Sequence, residues 1–90
     1  MSAAPSSSAR HYRQVGREAA RMIRQDLGLT VHADPLRVVT ASTLRALAAE
    51  KALYVMLGNF RGEEDGSAKA LIEHGRAYLN ATLEALGVQQ

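Results

Sequence analysis

Five arginines carry the most regular chemical pattern in the chain: Arg10, Arg13, Arg17, Arg21 and Arg24. Their spacing runs 3, 4, 4, 3. At about 100° per helical residue they fall within an arc of about 80°, one cationic edge of a helix. A guanidinium stays charged and presents a planar fork of donors that fits carboxylate and phosphate oxygens. Only Glu18 and Asp26 offset the charge locally. Like charges at i,i+4, such as Arg13–Arg17 and Arg17–Arg21, destabilise a lone helix by a few tenths of a kcal/mol (~0.2–0.5). The edge is therefore either a solvated face or a surface for something anionic. An acidic protein surface and a nucleic-acid backbone both qualify. A membrane fits poorly, because the opposite face is alanine-rich and has no tryptophan. Arginine outnumbers lysine nine to two across the whole chain, which GC-rich codon usage also explains.

The other reactive groups give no catalytic arrangement. Glu63, Glu64 and Asp65 form an acidic loop between Gly62 and Gly66. A calcium loop needs alternating oxygen ligands and a distal bidentate glutamate, a spacing absent here. The run reads as a solvated acidic turn whose charge suits the start of the following helix. His11, His32 and His74 have no ligand-spaced partners, and the chain has no cysteine. His32 near Asp34 reads as a local turn pair. Ser6 to Ser8 have no base beside them, and no phosphate-binding glycine loop or nucleophile elbow occurs. The expectation is a non-enzymatic protein with no metal and no cofactor.

The elements that must carry these groups are helical. Sixteen alanines, eleven leucines and nine arginines all favour helix. A first helix is expected from about Ala9 to Leu27, with Tyr12, Val15, Ala19, Met22 and Ile23 opposite the arginines. Gly28 is placed to end it in the left-handed conformation, with Leu29 as the accompanying apolar contact. Residues 29 to 40 read as a connector with room for one short helical turn, where Asp34 caps and Pro35 leads. A second helix is expected from about Ala41 to Asn59, capped by Thr40 or Ser42. A third is expected from about Ser67 to Leu86, closed by Gly87, with Gly75 allowing another backbone to approach. The fold class is all-α, a small three-helix subunit with an extra short helical turn. Residues 1 to 9 form a flexible Ser/Ala/Pro tail, 10 to 88 a single helical domain, and 89 to 90 the C-terminal end.

The second helix is apolar nearly all round. Leu44, Leu47, Ala48 and Val55 make one face; Leu53, Met56, Leu57 and Phe60, with Ala46 and Ala49, make another. A helix of this kind is buried on more than one side. In a three-helix chain one side can pack on the other two helices, and a small bundle can also surround its central helix. Otherwise the second face needs a partner, either a neighbouring copy of the chain or another protein. Size points the same way. Ninety residues and 9.7 kDa make one domain. A compact fold of that mass exposes about 5,100 Å² of the about 14,000 Å² its extended chain would show. Such a core supplies roughly 3–5 kcal/mol, and without cysteine no disulfide adds to it. The net charge of +2 hides an uneven split. Residues 1 to 45 hold seven basic and three acidic groups, and residues 46 to 90 hold four and six. A head-to-tail ring would set basic half against acidic half. The N-terminus lacks the apolar stretch of a secretory signal, and the uncharged run Ala52 to Phe60 is too short to span a bilayer.

Residues 40 to 88, TASTLRALAAEKALYVMLGNFRGEEDGSAKALIEHGRAYLNATLEALGV, resemble the C-terminal helical pair of the head–tail adaptor (connector) proteins of tailed bacteriophages. The features that carry the resemblance are the apolar helix Leu44 to Leu57 and the loop Gly62 to Gly66. Lys69-Ala70, Tyr78 and Leu86 then mark the following helix. The resemblance implies a structural protein of the virion neck, assembled in the host cytoplasm as a homo-oligomeric ring beneath the portal. Such a ring extends the DNA channel, and its partners are further copies of itself, the portal and the tail or neck proteins. It implies that Leu53, Met56, Leu57 and Phe60 pack between subunits. It also implies that the arginines face acidic portal surface or make non-specific contact with channel DNA. The serine-rich tail, or Gly87 to Gln90, would order on docking. The residues alone leave two other readings open: a small basic helical DNA-binding protein, and an intracellular adaptor or antitoxin-like interaction module.

Overall fold

The computed structural model describes the backbone of residues 7–60 and 68–89 and the side chains of residues 10–58 and 69–89. The described residues form three α-helices and one 3₁₀ turn, with no strand among them. Helix α1 spans Ser7–Asp26, α2 spans Ala41–Phe60 and α3 spans Ala68–Leu86; the 3₁₀ turn spans Pro35–Arg37. The all-α reading holds, and the element boundaries lie within a residue or two of those expected. Helix α1 starts at Ser7, so Ser7 to Ala9 belong to a helix and not to the expected tail. Nothing in the Ser/Ala composition there opposes helix once the chain beyond has nucleated it.

Local chemistry ends the elements. Gly28 and Gly87 adopt φ of 75° and 81°. At the end of α1, the Gly28 amide donates to the Gln25 carbonyl (2.9 Å) and Leu29 to Arg24 (2.8 Å). At the end of α3, Gly87 donates to Glu84 (3.1 Å) and Val88 to Leu83 (2.9 Å). Both are Schellman closures, which satisfy carbonyls that the helix leaves without partners. The Asp34 side chain accepts from the Leu36 amide at 3.0 Å and starts the 3₁₀ turn. Thr40 caps α2, its Oγ1 accepting from the Thr43 amide at 3.1 Å.

The core sits in two clusters along the bundle. One joins Ala20 and Ile23 of α1, Leu44 and Ala48 of α2, and Leu83, Leu86 and Val88. The other joins Tyr12 and Ala19, Ala52 and Met56, and Tyr78. Early α1 thus meets late α2, while the ends of α1 and α3 lie together, so α1 and α3 run parallel and α2 runs against both. Helices α1 and α3 pack closest. A Cβ added at Gly16 would collide with the Tyr78 carbonyl oxygen and lie 3.0 Å from the Ala81 Cβ. The Thr82 hydroxyl, fully buried in this seam, lies 2.9 Å from the Gly16 carbonyl and 2.8 Å from the Tyr78 carbonyl. Its single proton bridges the two helices. The close backbone approach expected at Gly75 therefore occurs at Gly16. Gly75 instead faces the side chain of Met56 at ordinary contact distance, 3.5 Å. The C-terminal residues also differ from the expectation of order only on docking. Val88 is buried in the core, and the Gln89 carbonyl accepts from an Arg45 Nη2–H at 3.0 Å.

Candidate functional site

The arginine edge divides. Arg10, Arg13, Arg17 and Arg21 are exposed along α1, as the spacing requires. Arg13 and Arg17 border a polar cleft of about 260 Å³ with Ala77, Asn80, Ala81 and Glu84 of α3. Arg21 lies 3.7 Å from Glu18 in an exposed i,i+3 pair, which contributes at most ~0.5 kcal/mol. Arg24 departs from the edge. It is half-buried, and its Nε–H donates to the Ala33 carbonyl at 3.2 Å while an Nη2–H donates to the Ala85 carbonyl at 2.6 Å. The physical reason is the parallel packing of α1 and α3. Their last turns end side by side, so a cation at the end of α1 reaches the negative carbonyl end of α3. Arg24 ties the connector to the end of α3 and presents no free fork outward.

The second face of α2 divides as well. Leu53 and Leu57 are 57% and 58% exposed, and Tyr54 between them is 70% exposed. Met56 does not share their position; it is buried against Tyr12, Ala19, Ala52 and Tyr78. At 100° per residue Met56 sits about 60° behind Leu53, on the side that turns under α3. Phe60 ends α2, and its side chain lies outside the described residues. So do Glu63, Glu64 and Asp65 of the acidic loop. The outward stripe of α2 is thus Ala46, Ala49, Leu53 and Leu57, all exposed and within about 80° of one another. Helix α3 adds Ile72, 54% exposed, one turn before Gly75.

A feature that periodicity did not reveal lies on the other flank of α2. Helices α1 and α2 diverge and leave an apolar groove of about 290 Å³. Val15, Ala19 and Met22 form one wall, Val55 and Tyr54 the other, and Tyr78 lines it from α3. Glu18 and Lys51 stand at its edge. Lys51 also pairs with Asp26 at 3.7 Å, linking α1 to α2. Burial raises the Tyr78 phenol above its ordinary pKa, because the charged phenolate would be poorly solvated there. Met22, on the face opposite the arginines, is half exposed on the α1 wall.

Elsewhere, the Tyr12 ring stacks on His74 with centroids 4.8 Å apart and meets His11 edge-on at 5.3 Å. Among the described residues no three His, Cys, Asp or Glu side chains converge on a point where a metal could sit. Among the same residues no helix is long and apolar enough to cross a membrane. The arrangement as a whole offers surfaces: a cationic edge, an apolar ridge and an apolar groove. The chain matches no protein-family model, no curated protein and no solved structure.

Proposed function

We propose that this chain is a structural assembly subunit that builds a homo-oligomer through the apolar surface of α2, in the manner of a phage head–tail adaptor ring. The observation that supports the reading is the exposed set Leu53, Tyr54 and Leu57 on a helix whose opposite side is fully used by its own core. Burying a leucine stabilises by about 1.5–3 kcal/mol relative to leaving it exposed, and the single chain does not realise that gain at Leu53 or Leu57. A neighbouring copy would. In the finer form of the proposal the ring lies beneath a portal, and Arg10, Arg13 and Arg17 face channel DNA or acidic portal surface.

Light scattering on the eluting peak of a sizing column tests the proposal. The expected mass is a multiple of the 9.7 kDa chain, with annular particles in negative-stain images. A mass of one chain at every concentration and salt would refute it.

A further inference from the structure

Of the two anionic partners named above, we infer that Arg10, Arg13 and Arg17 meet the phosphate backbone of a nucleic-acid duplex. The pair of partners comes from the proposed function, and duplex binding is read separately from assembled mass. Packing first reduces five arginines to three. Arg24 is spent on the Ala33 and Ala85 carbonyls, and Arg21 faces Glu18 at 3.7 Å. Arg10, Arg13 and Arg17 are exposed and join no ion pair among the described residues. They fall within about 60° around α1 and span about 10 Å of its axis. One strand of a duplex carries a phosphate every ~3.4 Å of axis, so a helix laid along it sets this row against about three phosphates.

The surface beside the row separates a duplex from a protein. Protein interfaces bury an apolar centre, whereas nucleic-acid interfaces are more polar and far more positive. The cleft that Arg13 and Arg17 border has Ala77, Asn80, Ala81 and Glu84 of α3 as its other wall. None of the large apolar side chains exposed among the described residues lines it. No aromatic side chain lines it either, so unpaired bases of a single strand would find no ring to stack on. Asn80 brings a side-chain amide, a group that also contacts phosphate oxygens. Contacts of this kind hold the backbone and do not read sequence. Glu84, and Glu73 about 20° from it around α3, oppose the phosphates. Three cations beside two carboxylates make the binding weak and salt-sensitive.

Fluorescence anisotropy of a short labelled DNA duplex, titrated with the full chain across a salt series, tests the inference. Three phosphate contacts predict a log–log slope of about −2.7, or about a 40-fold loss of affinity between about 50 and 200 mM salt. Arg13→Ala and Arg17→Ala should each make the slope shallower by about 0.9. Arg37→Ala removes an exposed arginine from the 3₁₀ turn and should leave the slope unchanged. Glu84→Gln should tighten binding, because it removes a carboxylate from the cleft. Circular dichroism checks that each variant keeps its helices. No binding at about 50 mM salt would overturn the inference, since non-specific phosphate contact is strongest at low salt. So would an Arg37→Ala slope that falls as far as that of Arg13→Ala, or tighter binding to polyglutamate than to the duplex. With a parent of multiple mass, these failures leave the reading of the chain as an assembly subunit standing. A parent of one-chain mass that binds the duplex as expected would remove the assembly and keep the phosphate contact.

Discussion

Two glycines inside helices give a test whose signs oppose each other. Helix propensity alone says that replacing any interior helical glycine by alanine stabilises by about 1 kcal/mol. At Gly58 nothing lies within 4 Å of an added Cβ, so Gly58→Ala should follow propensity. At Gly16 the new methyl group would press on the Tyr78 carbonyl oxygen and reach 3.2 Å from the Thr82 hydroxyl. The neighbour is backbone and cannot swing aside, so α1 and α3 must separate. Overpacking of that kind costs about 1–3 kcal/mol. Separation also lengthens the Thr82 to Gly16 hydrogen bond, a loss of about 1 kcal/mol. Subtracting the propensity gain of about 1 kcal/mol leaves Gly16→Ala destabilised by about 1–3 kcal/mol. Against a total stability of roughly 3–5 kcal/mol that is a severe loss. Urea unfolding followed at 222 nm, at one fixed chain concentration, reads the difference. With a slope of about 1 kcal/mol per molar, the Gly16→Ala midpoint falls by about 1–3 M and the Gly58→Ala midpoint rises by up to about 1 M. A Gly16→Ala midpoint equal to or above that of the parent would refute the close parallel packing of α1 and α3.

Two further outcomes follow from the same geometry. Arg24→Ala removes two hydrogen bonds from a charged donor and should cost about 1.5–3 kcal/mol. Arg24→Lys should recover less than half of the lost urea midpoint, because an ammonium cannot hold the Ala33 and Ala85 carbonyls with a planar fork. Equal stability of Arg24→Ala and the parent would return Arg24 to the solvated edge. The second concerns alkaline pH. Burial raises the Tyr78 pKa above 10.0, so the folded chain favours the neutral phenol. Its contribution is fully present below the unfolded value of about 10 and is lost as pH rises through the higher folded value. Stability measured by urea midpoint should fall above about pH 10, and Tyr78→Phe should flatten that fall. Identical alkaline profiles for the two proteins would contradict the burial of this phenol.

What was legible in the sequence was local. Gly28 with Leu29, Gly87 with Val88, Asp34 with Pro35, and Thr40 all stand where short-range hydrogen bonds end or begin an element. Those bonds span six residues or fewer, so residue type and order determine them. What was not legible depended on which helices lie side by side. Gly16 and Gly75 look alike in a periodic pattern; only the closeness of α1 to α3 makes the first indispensable. Arg24 has the same angular position as Arg13 and Arg17. It differs because the ends of α1 and α3 coincide in space, a tertiary fact that joins a donor and an acceptor 61 positions apart in sequence. Periodicity alone places Met56 and Leu57 on one face. The turn of α2 under α3 separates them, sending one inward and leaving the other in water.

The same geometry bears on why α2 keeps its outer leucines. In the single chain, Leu53 and Leu57 add helix propensity that lysine or glutamate would supply almost as well. They add no burial, and an exposed apolar surface of this kind invites association. A monomer therefore has little to lose from polar residues at these two positions. In the proposed assembly the balance reverses, because a second copy would cover them and each leucine would then contribute the transfer gain that the core of one chain cannot provide. Stability of the folded chain and assembly should thus respond to different residues. Gly16, Arg24 and Thr82 set the first, through the α1–α3 seam. In the proposed assembly Leu53 and Leu57 set the second, and substitutions there should lower assembled mass while leaving the helical signal of the single chain in place.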